Sequence, residues 1–594
     1  MVRPEREPLD PDMTTVSTGP QSSTWRTRGL AAILDYAQIS HARAVGVLLA
    51  LALLAFLPGF FQIPAIDRDE ARFAQATKQM VESGDYVDIR FQGEVRYKKP
   101  VGIYWLQAAV VKTATRIAGH DVLPTIWLYR LPSLIGAIGA VLLTYWAALA
   151  FVTRRAAVVA AMMMAGCVLL GVEARLAKTD AMLLATVVAA MGAMARVYLA
   201  HRQNDGQGGA ASVHWRIPAI FWTALAAGFL IKGPLIWMFA GLAALALVIA
   251  DRSLRWLRDL RPLPGIVWMV LLVLPWFIAI VARAGGTFFS ESVGQDMLAK
   301  VTTSQEAHGA PPGYYLLLFF VTFWPACVLA GMATPAVWRG WRQPATRFLL
   351  AWLVPSWIVF ELVVTKLPHY VLPLYPAIAI LIAGVLDAAA LSRARWFIRG
   401  TIGWFIFPVV ICIAAFVGVV VLERQLGFLA WPFAAGAAIF GLVAWRLYEV
   451  DGPERALLRA TAASVLVAIA VYGIALPSMN TLFPSRTVAQ ALRDNACPQR
   501  DVVAVGYQEP SLVFYVGSGV RFTDAASAAE FLAGGRCRFA LIDARMERSF
   551  AQRADAIGLR YAQGARIEGV NISVGKPVTI VVFQSGRLQS GPPR

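Results

Sequence analysis

The sequence predicts a polytopic α-helical membrane protein that carries a small α/β domain at its C-terminal end. Of its 594 residues, 58% are hydrophobic and only 15% are charged, whereas about a quarter of the residues are charged in typical soluble proteins. Apolar stretches of about 18 or more residues recur from Val45 onward, and such stretches are typical of membrane-spanning helices. After Ser478 these stretches stop, and short strand-like and helix-like segments alternate.

The N-terminal segment, residues 1–42, is rich in Pro, Ser, Thr and charged residues, a composition that is typical of disorder. We therefore expect it to form a disordered cytoplasmic tail. The sequence shows no cleavable signal with a small-residue site, so the first apolar segment is expected to act as an uncleaved signal and as the first membrane span.

Residues 43–477 are predicted to form the transmembrane domain, with about thirteen spans. The predicted spans are 44–64, 126–152, 155–172, 180–200, 217–232, 234–250, 263–283, 313–336, 347–365, 370–390, 399–421, 428–448 and 457–477. The short segments 217–232 and 234–250 are interpreted as two spans because the sequence KGP separates them. An odd number of spans places the two termini on opposite sides of the membrane.

Arginine residues are concentrated in alternate loops of this domain, for example at 252–261, 339–347 and 393–399. Basic loops stay in the cytoplasm, so the N-terminus is predicted to be cytoplasmic and the C-terminus periplasmic. These arginines and contacts with anionic membrane lipids account for the net charge of +18, and nucleic acid is not expected as a partner. The predicted outer loop 65–125 is also basic, which suggests that its cations have a function.

Residues 478–594 are predicted to form a periplasmic α/β domain. The stretches DVVAVGY, RCRFALIDA and PVTIVVFQ have the pattern of strands, and SRTVAQALRD, AASAAEFLA and RSFAQRADAIG have that of helices. Cys497 and Cys537 would lie in an oxidising compartment, which favours a disulfide, but Cys537 also begins a predicted buried strand. The sequence does not decide whether Cys497 and Cys537 form a disulfide or are two free thiols.

The predicted first periplasmic loop, residues 65–125, is densely charged and begins with the motif DRDE. Ionisable groups at the membrane face are costly to keep and are often functional. Asp67, Asp69 or Glu70 could activate an acceptor or hold a metal, and Asp69 is the preferred candidate. The alternative is structural, because acidic residues at this position also cap a helix, predicted here over 71–82.

A second cluster in this loop combines cations with aromatic rings, since the motif RYKKP is followed by GIYW. A lysine at the membrane face can bind phosphate as a point charge, which makes Arg96, Lys98 and Lys99 candidates for phosphate binding. Tyr97 and Tyr104 are candidates for substrate contact. The alternative is contact with lipid headgroups, because cations and aromatic side chains are common at membrane interfaces.

Other predicted outer loops place further ionisable residues on the same face. The turn EARLAKTD contains Asp180, a further candidate for a catalytic acid, and the motifs KGP and KLPHY follow in later loops. The candidate binding residues in these loops are Lys178, Lys232, Lys366, His369 and Tyr370. Together they favour a site for an anionic, lipid-borne substrate, whereas each lysine alone is typical of a solvated turn. His369 does not by itself predict a metal site, because no second His or Cys lies nearby.

In combination these motifs resemble the motif series of the GT-C class of membrane glycosyltransferases. The stretches concerned are DRDEARFAQATKQMVESGDY, RYKKPVGIYWL, RLAKTDAML, KGP and TKLPHYVLPLYP. They are similar to those of the aminoarabinose transferases of lipid A and of the protein O-mannosyltransferases, over nearly the whole chain. The resemblance implies a GT-C type bundle of about thirteen transmembrane helices with a C-terminal periplasmic α/β domain, in the bacterial inner membrane.

The same resemblance implies roles for individual residues. It places the catalytic aspartate of the first loop at Asp69, the lysine of the KP motif at Lys99 and the aspartate of the second loop at Asp180. The lysine and the tyrosine of the KLPxY motif fall on Lys366 and Tyr370.

The expected function is transfer of a sugar from a polyprenyl-phosphate donor to a lipid A or lipopolysaccharide-type acceptor at the periplasmic face, with inversion at the anomeric carbon. Lys98 stands where the aminoarabinose transferases tend to have a glutamate, so a metal ligand is not carried over to this position. The sequence does not require a cofactor, and it leaves open whether the site binds a divalent cation. The alternatives are a protein O-glycosyltransferase of the same fold and a flippase for lipid-linked sugars.

Overall fold

The chain forms a helical membrane domain followed by a domain with a five-stranded sheet. The computed structural model describes residues 25–205, 214–285, 288, 309–495, 497 and 500–585, and the structural statements below refer to these residues.

Helical structure begins before the predicted membrane domain. Residues Trp25–Gln38 form helix α1, so the prediction of a disordered tail over 1–42 is wrong for this stretch, and residues 1–24 lie outside the described residues. Asp35 of α1 forms an ion pair with Arg155 at 2.7 Å. Leu34 and Ala37 of α1 are buried in the core of the membrane domain, and composition alone cannot predict these tertiary contacts.

The helices of the membrane domain largely follow the predicted spans. After α1 they are α2 (His41–Phe56), α3 (Asp69–Ser83), α4 (Gly102–Ala118), α5 (Ile126–Ala148), α6 (Arg154–Ala165), α7 (Val168–Glu173), α8 (Asp180–Asp205), α9 (Arg216–Lys232), α10 (Leu235–Asp251), α11 (Pro262–Ala284), α12 (Tyr314–Thr322), α13 (Cys327–Arg339), α14 (Pro344–Leu362), α15 (Tyr375–Asp387), α16 (Arg395–Gly400), α17 (Gly403–Glu423), α18 (Trp431–Arg446), α19 (Tyr448–Asp451), α20 (Pro453–Ala468) and α21 (Leu476–Ser478). Eight of the described helical segments are long and apolar enough to cross a membrane, and α2 and α10 are shorter apolar helices. The full number of spans stays a prediction.

Two predicted spans are each built from two helices. The span 155–172 is interrupted at Gly166 between α6 and α7, and the span 313–336 is interrupted around Pro325 between α12 and α13. The predicted break after α9 is confirmed. Gly233 has a φ of +73°, a conformation that glycine adopts without strain, and it separates α9 from α10.

Close helix contacts bring the predicted outer motifs toward one another. A side chain at Gly102, at the start of α4, would meet the carbonyl oxygen of Leu230 in α9 at 2.7 Å. A side chain at Gly136 in α5 would meet the backbone nitrogen of Met182 in α8 at 2.7 Å. Because only glycine permits these approaches, the segment before α4 lies beside the end of α9, and α5 packs on the start of α8.

The C-terminal domain is a mixed sheet with the strand order β4-β3-β5-β7-β6, and the first loop adds a separate hairpin, β1-β2. The strands are β1 (Arg90–Phe91), β2 (Glu94–Val95), β3 (Asp501–Val505), β4 (Arg521–Phe522), β5 (Arg538–Asp543), β6 (Tyr561–Asn571) and β7 (Lys576–Ser585). The helices are α22 (Pro484–Arg493), α23 (Pro510–Val516), α24 (Ala525–Ala533) and α25 (Glu547–Ala556). Strand β3 is parallel to β4 and β5, whereas β7 is antiparallel to β5 and β6.

The three strands and three helices predicted for this domain are present, as β3, β5, β7, α22, α24 and α25. The short β4, the partly exposed β6 and the helix α23 are additions that the sequence pattern does not predict. Cys497 and Cys537 form a disulfide, which decides between the two alternatives for this pair.

The C-terminal domain docks on the loop between α2 and α4. The hydroxyl of Tyr515 accepts a hydrogen bond from the N–H of Ala65 at 2.7 Å, and Nζ of Lys78 donates to the carbonyl of Phe514 at 3.0 Å. The Phe514 ring is fully buried and lies edge-on to Tyr129, with 5.4 Å between the ring centres. Helix α23 therefore packs directly against α3, the helix that begins at the DRDE motif.

Candidate functional site

The turn between α7 and α8 carries a cluster of buried charged residues. Glu173 ends α7 and Asp180 begins α8, so the turn brings two carboxylates close to Lys178. The hydroxyl of Ser133 donates to the carbonyl of Lys178 at 3.0 Å, and the N–H of Ala177 donates to Glu70 at 2.9 Å. These hydrogen bonds fix the turn against α5 and α3.

Lys178 lies at the centre of the cluster. Its Nζ is 3.0 Å from Oε1 of Glu173 and 3.5 Å from Oδ2 of Asp180. The same nitrogen is 3.4 Å from Nδ1 of His369. The side chains of Lys178 and Asp180 are only 10% and 5% exposed, so water weakens these charge interactions little.

Two later loops complete the cluster. Lys232 donates a hydrogen bond to Oδ1 of Asp180, and Nε2 of His369 lies 3.6 Å from the same oxygen. The ammonium of Lys232 also lies 5.6 Å from the centre of the Tyr370 ring, in the range of a cation–π contact. Asp180 therefore connects residues from three separate loops.

The charges of the cluster act strongly on one another. Burial, partly offset by the charge of Lys178, raises the pKa of Glu173 to about 7. Burial disfavours the charged form of Lys178, but the carboxylates of Glu173 and Asp180 outweigh this and raise the pKa of Lys178 above its usual 10.5. The charge of Asp69 acts in the same direction.

The acids of the DRDE motif differ in their surroundings. Asp69 is the first residue of α3, and its side chain is exposed. Asp67 faces the C-terminal domain and accepts a hydrogen bond from the N–H of Ser511 at 2.9 Å, while burial raises the pKa of Asp67 to about 6. Asp69 is thus open to a substrate, whereas Asp67 takes part in the domain contact.

Glu70 forms a buried ion pair with Arg130. Nε and Nη2 of Arg130 lie 2.7 and 2.9 Å from the two carboxylate oxygens, and the two residues are 0% and 2% exposed. The guanidinium also donates to the carbonyl oxygens of Phe60, Ile63 and Pro64, at 3.2, 2.7 and 2.9 Å. This arrangement favours a positioning role for Glu70 over the predicted catalytic one.

The RYKKP segment contains both buried and exposed side chains. Arg96 is buried, with its guanidinium 5.3 Å from the centre of the Phe73 ring, and the hydroxyl of Tyr97 donates to Asp88 at 2.8 Å. Lys98 is exposed and Lys99 is half-buried. Of the predicted phosphate ligands in this segment, Arg96 is therefore the one that is packed inside the protein.

Lys99 lies next to the KGP turn. Its neighbour Pro100 places Cγ 4.0 Å from the position that a Cβ would take at Gly233, one residue after Lys232. The first-loop KP motif and the KGP motif are therefore adjacent in space. Tyr104 is fully buried, with its ring 5.3 Å from that of Phe73, which favours packing over the predicted substrate contact.

Lys366 faces the end of helix α14 and is 4% exposed. Its Nζ donates to the carbonyl oxygens of Glu361 and Val363 at 2.9 and 2.6 Å. Unpaired carbonyls at a helix C-terminus attract cations, so Lys366 serves as a cap for α14. The structure brings Lys178, Lys232 and His369 to Asp180, and gives Lys366 this separate position.

Glu173, Asp180 and His369 offer a set of potential metal ligands. One oxygen or nitrogen atom from each lies within 4.8 Å of the others. Carboxylate oxygens and an imidazole nitrogen are chemically suited to a divalent cation such as Mn²⁺ or Zn²⁺. However, Nζ of Lys178 contacts all three side chains, so an ammonium already lies among these potential ligands.

Two residues of the site are not among the candidates that the sequence predicts. Glu173 stands in the charged turn without an assigned role, and Arg130 lies within the predicted span 126–152. An ionisable residue inside an apolar span is costly, and that cost is the signal that identifies Arg130.

The membrane domain, its charged outer turns and the C-terminal sheet together have the fold of the GT-C membrane glycosyltransferases. The crystal structure of ArnT from Cupriavidus metallidurans bound to undecaprenyl phosphate matches with a TM-score of 0.69, over 92% of this chain and 99% of that chain, at 18% identity. The apo structure of the same protein matches with a TM-score of 0.69, over 91% and 98% of the two chains, at 18% identity.

Sequence comparisons find similarity to transferases that are named for lipid-linked sugars. The family model "Dolichyl-phosphate-mannose-protein mannosyltransferase" matches residues 46–285. The undecaprenyl phosphate-alpha-4-amino-4-deoxy-L-arabinose arabinosyl transferase of Yersinia pestis (strain Pestoides F) is 28% identical over 333 residues, 55% of this chain and 56% of the relative. The protein of the same name from Edwardsiella ictaluri is 26% identical over 455 residues, 73% of this chain and 76% of the relative.

These findings confirm the resemblance to ArnT-like GT-C proteins. The match to the Yersinia relative spans little more than half of that protein's length.

Proposed function

We propose that this protein transfers a sugar from a polyprenyl-phosphate donor to a lipid A or lipopolysaccharide-type acceptor. The observation that carries the proposal is the convergence of Lys178 and Lys232 on Asp180, in a turn that Glu70, the neighbour of Asp69, contacts through the N–H of Ala177. Relatives named for undecaprenyl phosphate-linked aminoarabinose support the donor class, as does an ArnT structure bound to undecaprenyl phosphate.

Lys232 and Lys99 are the proposed ligands of the donor phosphate. During transfer, the bond between the anomeric carbon and the phosphate oxygen breaks, and its electron pair remains on the phosphate. Fixed cations stabilise this developing charge, an effect worth about 3 kcal/mol for a well-placed group in a dry site. The phosphate therefore leaves without protonation, and the step requires neither a general acid nor a cofactor.

Asp69 is the proposed residue that acts on the acceptor. The new bond joins an acceptor oxygen to the anomeric carbon, on the side opposite the departing phosphate. If the acceptor is a hydroxyl, its proton passes to Asp69; an acceptor phosphate is already nucleophilic, and Asp69 then orients it. A single displacement inverts the anomeric configuration.

The other predicted site residues are assigned supporting roles. Asp180 holds Lys178 and Lys232 in place, and Glu70 holds the start of α3 through Arg130. His369 contacts the cluster through both ring nitrogens, at 3.4 Å from Lys178 and 3.6 Å from Asp180.

We propose that the site and the C-terminus face the periplasm and that the N-terminus is cytoplasmic, in the bacterial inner membrane. The contacts of Tyr515 with Ala65 and of Ser511 with Asp67 put the C-terminal domain on the same side as the first loop. The arginine-rich loops would then face the cytoplasm. A periplasmic phosphatase fused after Arg594 should be active, whereas a fluorescent reporter that folds only in the cytosol should give no signal at the same point. The reverse result would overturn this orientation.

A protein acceptor is the second candidate, supported by the mannosyltransferase family model over residues 46–285. To separate the candidates, the purified full chain is placed in liposomes with a labelled undecaprenyl-phosphate sugar and either lipid A or an envelope protein extract. We expect labelled lipid A, and the Asp69→Asn variant as control should yield none. Label only in protein would favour the second candidate. Unmodified donor carried across the bilayer, without transfer, would contradict both and favour a flippase.

A further inference from the structure

We propose that the ammonium of Lys178 takes the place of a divalent cation between Glu173, Asp180 and His369. The consequence for catalysis rests on the proposed function. The metal-binding property that the proposal predicts can be measured without any transfer reaction, so the two can fail independently.

The first argument is the arrangement of the three ligand side chains. Glu173 and Asp180 flank the α7–α8 turn, whereas His369 comes from a 3₁₀ helix, Pro368–Leu374. Their donor atoms lie within 4.8 Å of one another, and the side chains are 3%, 5% and 10% exposed. Two carboxylates buried this closely repel each other, so the arrangement requires a cation between them.

The second argument is the geometry of Lys178. An ammonium has three N–H donors, and Nζ of Lys178 has three acceptors within reach: Oε1 of Glu173 at 3.0 Å, Nδ1 of His369 at 3.4 Å and Oδ2 of Asp180 at 3.5 Å. The lysine therefore contacts one potential ligand atom of each of the three side chains.

The third argument is charge balance. Lys178 contacts Oδ2 of Asp180, and Lys232 binds the other oxygen, Oδ1. When Glu173 and Asp180 are both ionised, the two ammonium groups offset the two carboxylates. A divalent cation added to this neutral, buried cluster would bring an unpaired charge of two, which is costly in a medium of low polarity. The wild-type cluster should therefore exclude the metal.

The consequence for the proposed transfer is that Lys178 acts as a positioning residue. Its fixed charge holds Asp180 and His369, and Asp180 in turn holds Lys232, the proposed ligand of the donor phosphate. Transfer should then proceed at an unchanged rate after treatment with a chelator.

The test is binding of Mn²⁺ alone to the purified full chain, followed by electron paramagnetic resonance. Wild-type protein should show no site-specific binding. Lys178→Ala removes the ammonium and leaves the three ligands, so it should bind one Mn²⁺ per chain at least about tenfold more tightly than wild type. Lys178→Ala combined with Glu173→Gln should lose this site. As a matched control, Lys112→Ala removes a lysine that lies over Tyr86 and should behave as wild type.

Two results would overturn the proposal. One is folded Lys178→Ala protein that binds Mn²⁺ no better than wild type. The other is wild-type protein that binds Mn²⁺ tightly and loses it on substitution His369→Ala. If Lys178→Ala does not fold, Lys178→Met keeps the aliphatic stem and serves in its place, with the same expected gain. Absence of transfer with every donor would contradict the proposed function but not the metal-binding prediction.

Discussion

The ammonium of Lys232 binds the carboxylate of Asp180, although 52 positions separate the two residues in the sequence. Lys232 ends α9 and Asp180 begins α8, so this ion pair ties together the outer ends of two neighbouring helices. Removing one partner of a buried pair typically costs about 3–5 kcal/mol, because the other charge is left uncompensated. Substitutions at Asp180 will therefore disturb fold and site together, and Asp69 is the better position at which to test chemistry.

Asp69→Asn should reduce transfer to background while the protein retains its expression and its melting temperature. The substitution removes a charge from an exposed side chain and leaves its volume unchanged. Initial rates with labelled donor and lipid A measure the effect. Asp121→Asn changes another exposed aspartate of the same loop and should retain wild-type turnover. Full activity of Asp69→Asn would assign the residue to capping α3.

Lys99→Ala and Lys366→Ala should have different effects. Lys99 lies beside the turn that carries Lys232, so its loss should raise the KM for the donor about tenfold or more and change the KM for the acceptor little. Lys366 caps α14, so its loss should lower the melting temperature, with a smaller effect on the donor KM. Steady-state kinetics and thermal melts of both variants test this contrast, and an equal rise in donor KM would show that Lys366 also binds phosphate.

Glu70 and Arg130 should contribute to the free energy of unfolding mainly through their interaction with each other. Glu70→Gln and Arg130→Met should each destabilise by about 3 kcal/mol or more, because each leaves a buried charge. The double variant should cost clearly less than the sum of the two single variants. Denaturation of all four proteins in the same detergent gives the coupling energy. Additive costs would mean that the two side chains act independently, despite their contact of 2.7 Å.

Asp67 should make the domain contact sensitive to pH. Burial raises the pKa of Asp67 from 3.8 to about 6, so the folded protein holds this proton more tightly than the unfolded chain does. Its contribution to stability is complete below pH 3.8 and is lost as the pH rises through about 6. Asp67→Asn stays neutral, so it should gain stability relative to wild type between these two values. Melting temperatures across this range test it, and a constant difference would contradict the shift.

Much of the membrane domain follows from apolar periodicity, because each span must satisfy its own backbone in lipid. The break at Gly233 is visible in the sequence because KGP separates two apolar segments. The interruptions at Gly166 and Pro325 are not predicted, because helix ends inside a protein are set by neighbouring helices as well as by local sequence. Helix α1 is a further example, since its ion pair between Asp35 and Arg155 is a tertiary contact.

In the candidate site, too, some features follow from the sequence and others depend on tertiary packing. Motifs identify Lys178, Asp180 and Lys232 as charged residues of outer turns, but loop membership does not reveal their distances. The orientation of Lys366 toward α14, and of Glu70 toward Arg130, depends on which partner each long side chain reaches. Sequence pattern predicts where charge is concentrated, and packing decides which of those charges meet.

The docking of α23 on α3 means that the loop before α4 and the C-terminal domain can be exchanged between relatives only as a pair. A chimaera that combined residues 57–101 of this chain with a foreign sheet domain would have to rebuild the contacts of Asp67 with Ser511, of Ala65 with Tyr515 and of Lys78 with Phe514. All three lie within nine residues of Asp69 on the loop side. The distant end of the polypeptide therefore helps to shape the surroundings of Asp69.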